Sequence, residues 1–400
     1  MKPVDSTVTH PEPAGVPGNA PADTWGGVLM LAAAAVALVW ANSPFAGTYA
    51  STLSLTFGPA DLGLSKSLGL WISDGLMAIF FLYVGLEIKR EVVGGQLSSR
   101  ERLTLPAIAA LGGMIVPAIF FLALNRTDAL AARGWAIASA TDIAFSLAVL
   151  RVLGRRVPAS LRIFLTAVAI LDDIGAIVII AVFYTDALAL GMLAAGLLPI
   201  AGLIALNRLR VDRVFPYVLL GVVLWLCILK SGIHPTLAGV VVACAIPITT
   251  PRGRMLESLE HSLKPWVIFL ILPVFALANA GVSLAGFGFE TLFEPVALGI
   301  ILGLLFGKTL GVALGVWLAW LLRLARPPEG ANWLQVLGVA HLCGIGFTMS
   351  LLIAVLAYES HAPHFFEQAK LGVLAGSLLG ALAGVIVLLI APARRAVATT

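Results

Sequence analysis

Charge is what this sequence has least of. Asp, Glu, Lys and Arg make up 12% of its 400 residues, about half of what a soluble domain uses to solvate its surface. That shortage excludes an ordinary water-soluble fold. With 60% hydrophobic residues and a mean hydropathy of +1.01, the chain turns apolar side chains outward as well as inward, which only lipid accommodates. Cysteine is scarce too. Cys227, Cys244 and Cys343 lie in apolar runs without metal-ligand spacing, and read as small buried hydrophobes. No basic stretch leads directly into an apolar core with a small-residue cleavage site, so no signal peptide is expected. Residues 1–23 are instead polar and carry Pro3, Pro11, Pro13, Pro17 and Pro21, the composition of a disordered tail.

What is present is a series of long apolar runs. A helix needs about 20 apolar residues to cross the hydrocarbon core. Runs near 25–42, 71–88, 105–125, 134–151, 160–184, 187–207, 214–231, 234–250, 265–285, 296–322, 333–357 and 368–392 predict an all-α membrane protein of about twelve transmembrane helices. They form a single domain over 24–392, with a C-terminal tail at 393–400. The basic residues test that count. With both termini in the cytoplasm, 19 Lys and Arg fall in cytoplasmic segments and five outside, as the positive-inside rule requires. The sequence pI of about 9.1 is therefore a topology signal, and no nucleic-acid partner is expected. One basic residue belongs to neither side: Lys308, in the middle of the tenth run.

An ionisable group at mid-membrane costs about 2.5–3.5 kcal/mol on the lenient insertion scale, so it needs a partner or a task. Asp142, Asp172, Asp173 and Lys308 all lie well inside spans. Asp172 and Asp173 are adjacent, about 100° apart around a helix, so they cannot share one face. One can line a water-filled funnel while the other turns toward a neighbouring helix. Desolvation and a like-charged neighbour move carboxylates toward neutrality, where a proton and a hard cation compete for the same oxygens. Helix–helix hydrogen bonding by a neutral acid pair is the plainer alternative, and two adjacent buried acids are a costly way to achieve it.

Thr141-Asp142 in span four and Gly344-Ile345-Gly346 in span eleven are places where a helix can stop and restart. Two interruptions at mirrored positions fit an inverted-repeat transporter. Opposed helix N-termini there want an anion and opposed C-termini a cation. Asp142 suits the first role. Lys308 suits the second, or serves as counter-ion to one of the aspartates. Glycines 303, 307, 311 and 315, and 372, 376, 380 and 384, give two ladders for close helix contact. His234 sits at the join of spans seven and eight, where a pH-sensing role is open. The loop 251–264 carries Arg252, Arg254, Glu257, Glu260, His261 and Lys264. It is a solvated mixed cluster or, in a proton-coupled carrier, a pH-setting one.

Several stretches together resemble the NhaA family of bacterial sodium/proton antiporters. They are Phe80-Phe81-Leu82-Tyr83-Val84-Gly85-Leu86-Glu87-Ile88-Lys89-Arg90-Glu91, Ala140-Thr141-Asp142-Ile143-Ala144-Phe145, Ala169-Ile170-Leu171-Asp172-Asp173-Ile174-Gly175, Leu259-Glu260-His261, Phe275–Gly281, Gly307-Lys308 and Leu342–Ser350. The resemblance implies electrogenic exchange of two protons for one sodium or lithium ion by alternating access, regulated by pH, in a homodimer of the bacterial inner membrane. Asp173 would be the main ligand of the transported sodium ion and Asp172 its partner, with Asp172 paired with or competing against Lys308 for protons. Thr141 and Asp142 would belong to the helix crossing, and Glu87, His234, Glu260 and His261 to the pH response. No resident cofactor and no enzymatic activity are implied; sodium, lithium, protons and membrane lipid are the partners. The principal alternative is a sodium-coupled symporter of a small organic anion, which would need Lys308 as its anion site. An intramembrane aspartyl protease, using Asp142 with Asp173, and a passive cation channel are further rivals.

Overall fold

Apolar segments that meet no water must close their backbone hydrogen bonds internally, and here they do so as helices. The computed structural model describes residues 20–59, 64–185, 188–283 and 289–392. The predicted tails at 1–19 and 393–400 lie outside the described residues, but residues 20–23, expected as the end of the disordered tail, form the first turn of a helix instead, since helical bonding extends past the apolar run. The helices are α1 Ala20–Ala41, α2 Leu68–Gly94, α3 Arg100–Asn125, α4 Ile143–Val152, α5 Ala159–Phe183, α6 Leu190–Arg208, α7 Val214–Leu229, α8 Leu237–Ala245, α9 Met255–Asn279, α10 Pro295–Leu321, α11 Trp333–Glu359 and α12 Pro363–Ile390. Among the described residues, nine of these are long and apolar enough to cross a membrane. The segment Ala129–Ser139 and α4, bent by 44° at the break between them, are together long and apolar enough for a tenth. Helices α7 and α8, at 16 and 9 residues, are shorter than a full crossing. A short antiparallel hairpin pairs Thr56 with Ser67 and Phe57 with Lys66 between α1 and α2.

Local sequence sets the ends of these elements. The Ser99 hydroxyl accepts from the Arg102 amide to open α3, and Asn332 with Gln335 forms a reciprocal capping box at the start of α11. Residues 140–142 leave helical geometry, with Ala140 extended at ψ 153°. In α11, helical bonding stops at Cys343 and restarts at Phe347, with Gly344–Gly346 between. In α10 a wide π turn, Gly303–Gly307, sits immediately before Lys308.

The first glycine ladder explains how α10 comes so close to α3. A Cβ on Gly311 would lie 2.1 Å from the carbonyl oxygen of Gly112, so only glycine permits this backbone contact. Gly307 meets Pro117 and Gly315 meets Ala109 along the same seam. The second ladder lays α12 against Ala297 and Ile301 of α10 and against Leu342 of α11. These contacts bring α3, α5, α10 and both interrupted segments around one buried centre.

Candidate cation site

The centre is built on the two backbone breaks, and each break is held by the other. The Asp142 amide donates to the Ile345 carbonyl at 2.6 Å. One carboxylate oxygen of Asp142 accepts from the Phe145 amide at 3.0 Å, capping α4. The other accepts from the amide and hydroxyl of Thr348 at 3.1 and 2.6 Å, capping the second half of α11. A single acid thus neutralises two helix N-termini. Two serines complete the brace in mirrored fashion: Ser146 donates to the Leu342 carbonyl at 2.8 Å, and Ser350 donates to the Ile137 carbonyl at 2.6 Å. Each serine follows one break and ties down the segment that precedes the other.

Lys308 enters from α10 with its side chain fully buried. Its ammonium donates to Asp172 Oδ2 at 2.7 Å and also to the Ser139 carbonyl, at the C-terminal end of the 3-10 stretch. Counter-ion and helix-end cation were alternatives in the sequence; the one ammonium occupies both positions. Thr141 Oγ1 lies 2.6 Å from Asp172 Oδ2 and 2.7 Å from the Cys343 carbonyl.

Asp173 faces elsewhere, as adjacent helical residues must. It lines a cavity of about 90 Å³ with Asp142, Thr141, Thr348, Glu87 and Lys264, whereas Asp172 does not line it. That volume holds a few water molecules. Asp173 Oδ1 and Asp172 Oδ1 are both buried without a hydrogen-bond partner. A buried oxygen left bare in this way is costly unless something else occupies the position for part of a working cycle. Asp173 therefore carries an unpaired carboxylate oxygen in the wall of a small cavity, which Thr141, Asp142 and Thr348 also line. A hard monovalent cation prefers such oxygen ligands.

Glu87, Glu260, His261 and His234, expected from the resemblance to serve a pH response, do not form one group. Glu260 accepts from Arg90 Nε at 2.8 Å, and Arg90 also pairs with Glu91 at 2.7 Å. Glu87 is half-buried nearby, and the charges of Glu260, Arg90, Lys264 and Glu91 act on it. His261 is exposed. His234 belongs to a different cluster: its Nδ1 is 2.6 Å from Thr236 Oγ1, and its Nε2 is 3.5 Å from Asp74. Asp74, in the π turn of α2, also pairs with Lys66 at 2.5 Å. The carbonyls of Ser139 and Cys343 were invisible as site groups in the sequence, since nothing in a side-chain pattern marks a backbone oxygen. Thr348 and Ser350 were legible only as part of the Leu342–Ser350 stretch.

A multi-pass helical membrane protein with paired acids, a buried lysine and two crossed backbone breaks is built as an ion-translocating transporter. Comparison with known proteins narrows the class. The sequence model of the family described as "Na+/H+ antiporter 1" matches residues 20–388. The chain is 52% identical over 373 residues to the Na(+)/H(+) antiporter NhaA 2 of Pseudomonas syringae, covering 92% of this chain and 93% of that protein. It is 53% identical over 369 residues to the Na(+)/H(+) antiporter NhaA of Albidiferax ferrireducens, covering 91% and 94%. It is 52% identical over 377 residues to the NhaA of Rhodospirillum rubrum, covering 92% and 94%. The chain belongs to the Na+/H+ antiporter 1 family.

Proposed function

We infer that this protein exchanges sodium or lithium for protons across the bacterial inner membrane. The observation that carries the reading is the division of labour between adjacent acids. Asp173 stands in the cavity wall with one carboxylate oxygen that no hydrogen bond engages, while Asp172 is tied to Lys308 and Thr141. A cation entering the cavity binds Asp173 and displaces its proton. The changed charge reaches Asp172 and Lys308 one residue away, so the second proton leaves from that pair. Two protons against one monovalent ion moves net charge, and the membrane potential drives sodium outward. The loaded site then reorients and releases sodium outside, where protons rebind. Asp142 keeps the two N-termini neutralised throughout.

The nine long helices, the bent crossing and the two short apolar helices α7 and α8 make up a twelve-span arrangement with both termini cytoplasmic. The reciprocal bonds of Ser146 and Ser350 support an inverted repeat that relates the two breaks. The family resemblance supports a homodimer and pH regulation through Glu87, Glu260, His261 and His234. The protein acts as a carrier, not an enzyme, and needs no resident cofactor. Symport of an organic anion is disfavoured because Lys308, its required binding group, is already engaged by Asp172 and Ser139.

The test is proton movement in everted membrane vesicles energised by respiration, after addition of sodium, lithium or potassium at several pH values. Sodium and lithium should each release protons from the lumen, and Asp173→Asn should abolish the response. A well-folded Asp173→Asn protein that still exchanges would sink the assignment.

A further inference from the structure

Among the described residues that line the cavity at Asp173, Lys264 is the one cation; the charged side chains around it are Glu87, Asp142 and Asp173. Lys264 comes from α9, is half-buried, and acts electrostatically on Glu87. The other charges close to this wall are Arg90 and Glu91 from α2 and Glu260 and exposed His261 from α9. Asp172 and Lys308 stand behind Asp173 as a bonded pair. Three converging carboxylates pose a selectivity problem for a monovalent carrier. Attraction to a carboxylate scales with the charge of the ion, so an all-acid cavity favours magnesium or calcium over sodium.

We propose that Lys264 is a valence filter, a fixed positive charge in the cavity wall that keeps divalent cations off Asp173 while leaving monovalent loading affordable. The inference rests on the antiport reading. Repulsion by the ammonium also scales with ion charge, so the energy it imposes on a divalent ion is twice that on sodium. In equilibrium constants, whatever factor Lys264 costs sodium, it costs magnesium the square of that factor. Magnesium also sheds water reluctantly, which adds to its cost of reaching Asp173. The need is plain on the cytoplasmic side, where magnesium is abundant and the carrier has to find sodium.

The experiment uses the full-length protein in proteoliposomes. Sodium-dependent proton exchange is measured against sodium concentration, then against added MgCl2, for wild type, Lys264→Gln, Lys264→Met and Lys264→Arg. Both neutral variants should lower the half-saturating sodium concentration, and should lower the inhibitory magnesium concentration by the square of that change. A threefold shift for sodium predicts about a ninefold shift for magnesium. Lys264→Arg should behave as wild type. Raising ionic strength with choline chloride should shrink the gap between wild type and the neutral variants. Using two neutral side chains guards against one that fails to fold. Magnesium inhibition that is unchanged in both, or that shifts by the same factor as sodium, overturns the filter alone. Absence of sodium exchange in wild type overturns the antiport reading and the filter with it.

Discussion

Lys308→Met isolates the buried ammonium. The methionine keeps an unbranched stem against Gly113, where a Cβ would sit 3.4 Å from Lys308 Cε, so the change removes charge more than volume. Two interactions are lost: the 2.7 Å pairing with Asp172, and donation to the Ser139 carbonyl. Both side chains of the pair are fully buried. Removing one member of such a pair costs about 3–5 kcal/mol, mostly because the other charge is stranded. Asp172 retains the Thr141 hydroxyl at 2.6 Å, which places the loss near the lower bound, about 3 kcal/mol. At about 2 °C per kcal/mol for a large chain, the melting temperature should fall by roughly 6 °C. Intrinsic fluorescence of the nine tryptophans during heating in detergent reads this directly. Pairing the change with Asp172→Asn removes the stranded charge and should recover more than half of the loss. An unchanged melting temperature in Lys308→Met would refute the pair as a structural element. A double variant no more stable than the single would refute the attribution to a stranded carboxylate.

Asp173→Asn should abolish exchange while leaving the melting temperature within about 1 °C of wild type, because Asp173 Oδ1 makes no hydrogen bond that the change could break. A large thermal loss would show that Asp173 holds the fold together. Thr141→Val should slow exchange at least tenfold by removing the hydroxyl between Asp172 and Cys343, whereas Thr141→Ser should keep most of the activity; equal rates in the two would count against a role for the hydroxyl. Gly311→Ala puts a methyl 2.1 Å from the Gly112 oxygen and should cost about 1–3 kcal/mol as overpacking, read as a lower melting temperature or reduced yield. Full stability would mean that α3 and α10 separate more easily than their seam indicates.

Most of the frame was legible because lipid imposes one strong rule. A run of apolar residues long enough to cross has to be a helix, so the nine long helices follow from run length. The prediction weakened where run length did. Residues 214–250 read as two crossings in sequence, yet α7 and α8 are only 16 and 9 residues long. Hydropathy averages over a window and does not register that helical bonding ends at Leu229 and resumes only at Leu237. The first helix, by contrast, begins at Ala20, earlier than its apolar run, because helical bonding tolerates polar residues beyond the hydrocarbon.

Site residues divided by whether their cost shows in the side chain. Asp142, Asp172, Asp173 and Lys308 announced themselves, since charge at mid-depth is improbable without a task. The partners of those charges were hidden, because several are backbone carbonyls. Spacing within one chain also does not say which distant loop lies alongside. Lys264 read as one member of a surface cluster, and only the packing of α9 against α2 and α11 places it in the wall of the Asp173 cavity. His234 illustrates the converse. Its residue type suggested the same duty as His261, but the fold gives it Asp74 and Thr236 as neighbours and sets it apart from the Glu87–Arg90–Glu260 group.

The donor count at the centre says why a threonine stands at 141. Its hydroxyl has one hydrogen and two acceptors in reach, Asp172 Oδ2 at 2.6 Å and the Cys343 carbonyl at 2.7 Å. With Asp172 ionised, that hydrogen serves one of them and leaves the other short. With a proton on Asp172, the acid donates to the threonine and the threonine donates to Cys343, so both contacts are met. Lys308 faces no such choice, since an ammonium has three hydrogens and satisfies Asp172 and Ser139 together. The lysine therefore holds the centre while Asp172 is ionised, and the threonine ties a proton on Asp172 to the last carbonyl before the break in α11. A hydroxyl in that position makes the hydrogen bonds at the crossing depend on whether Asp172 carries a proton.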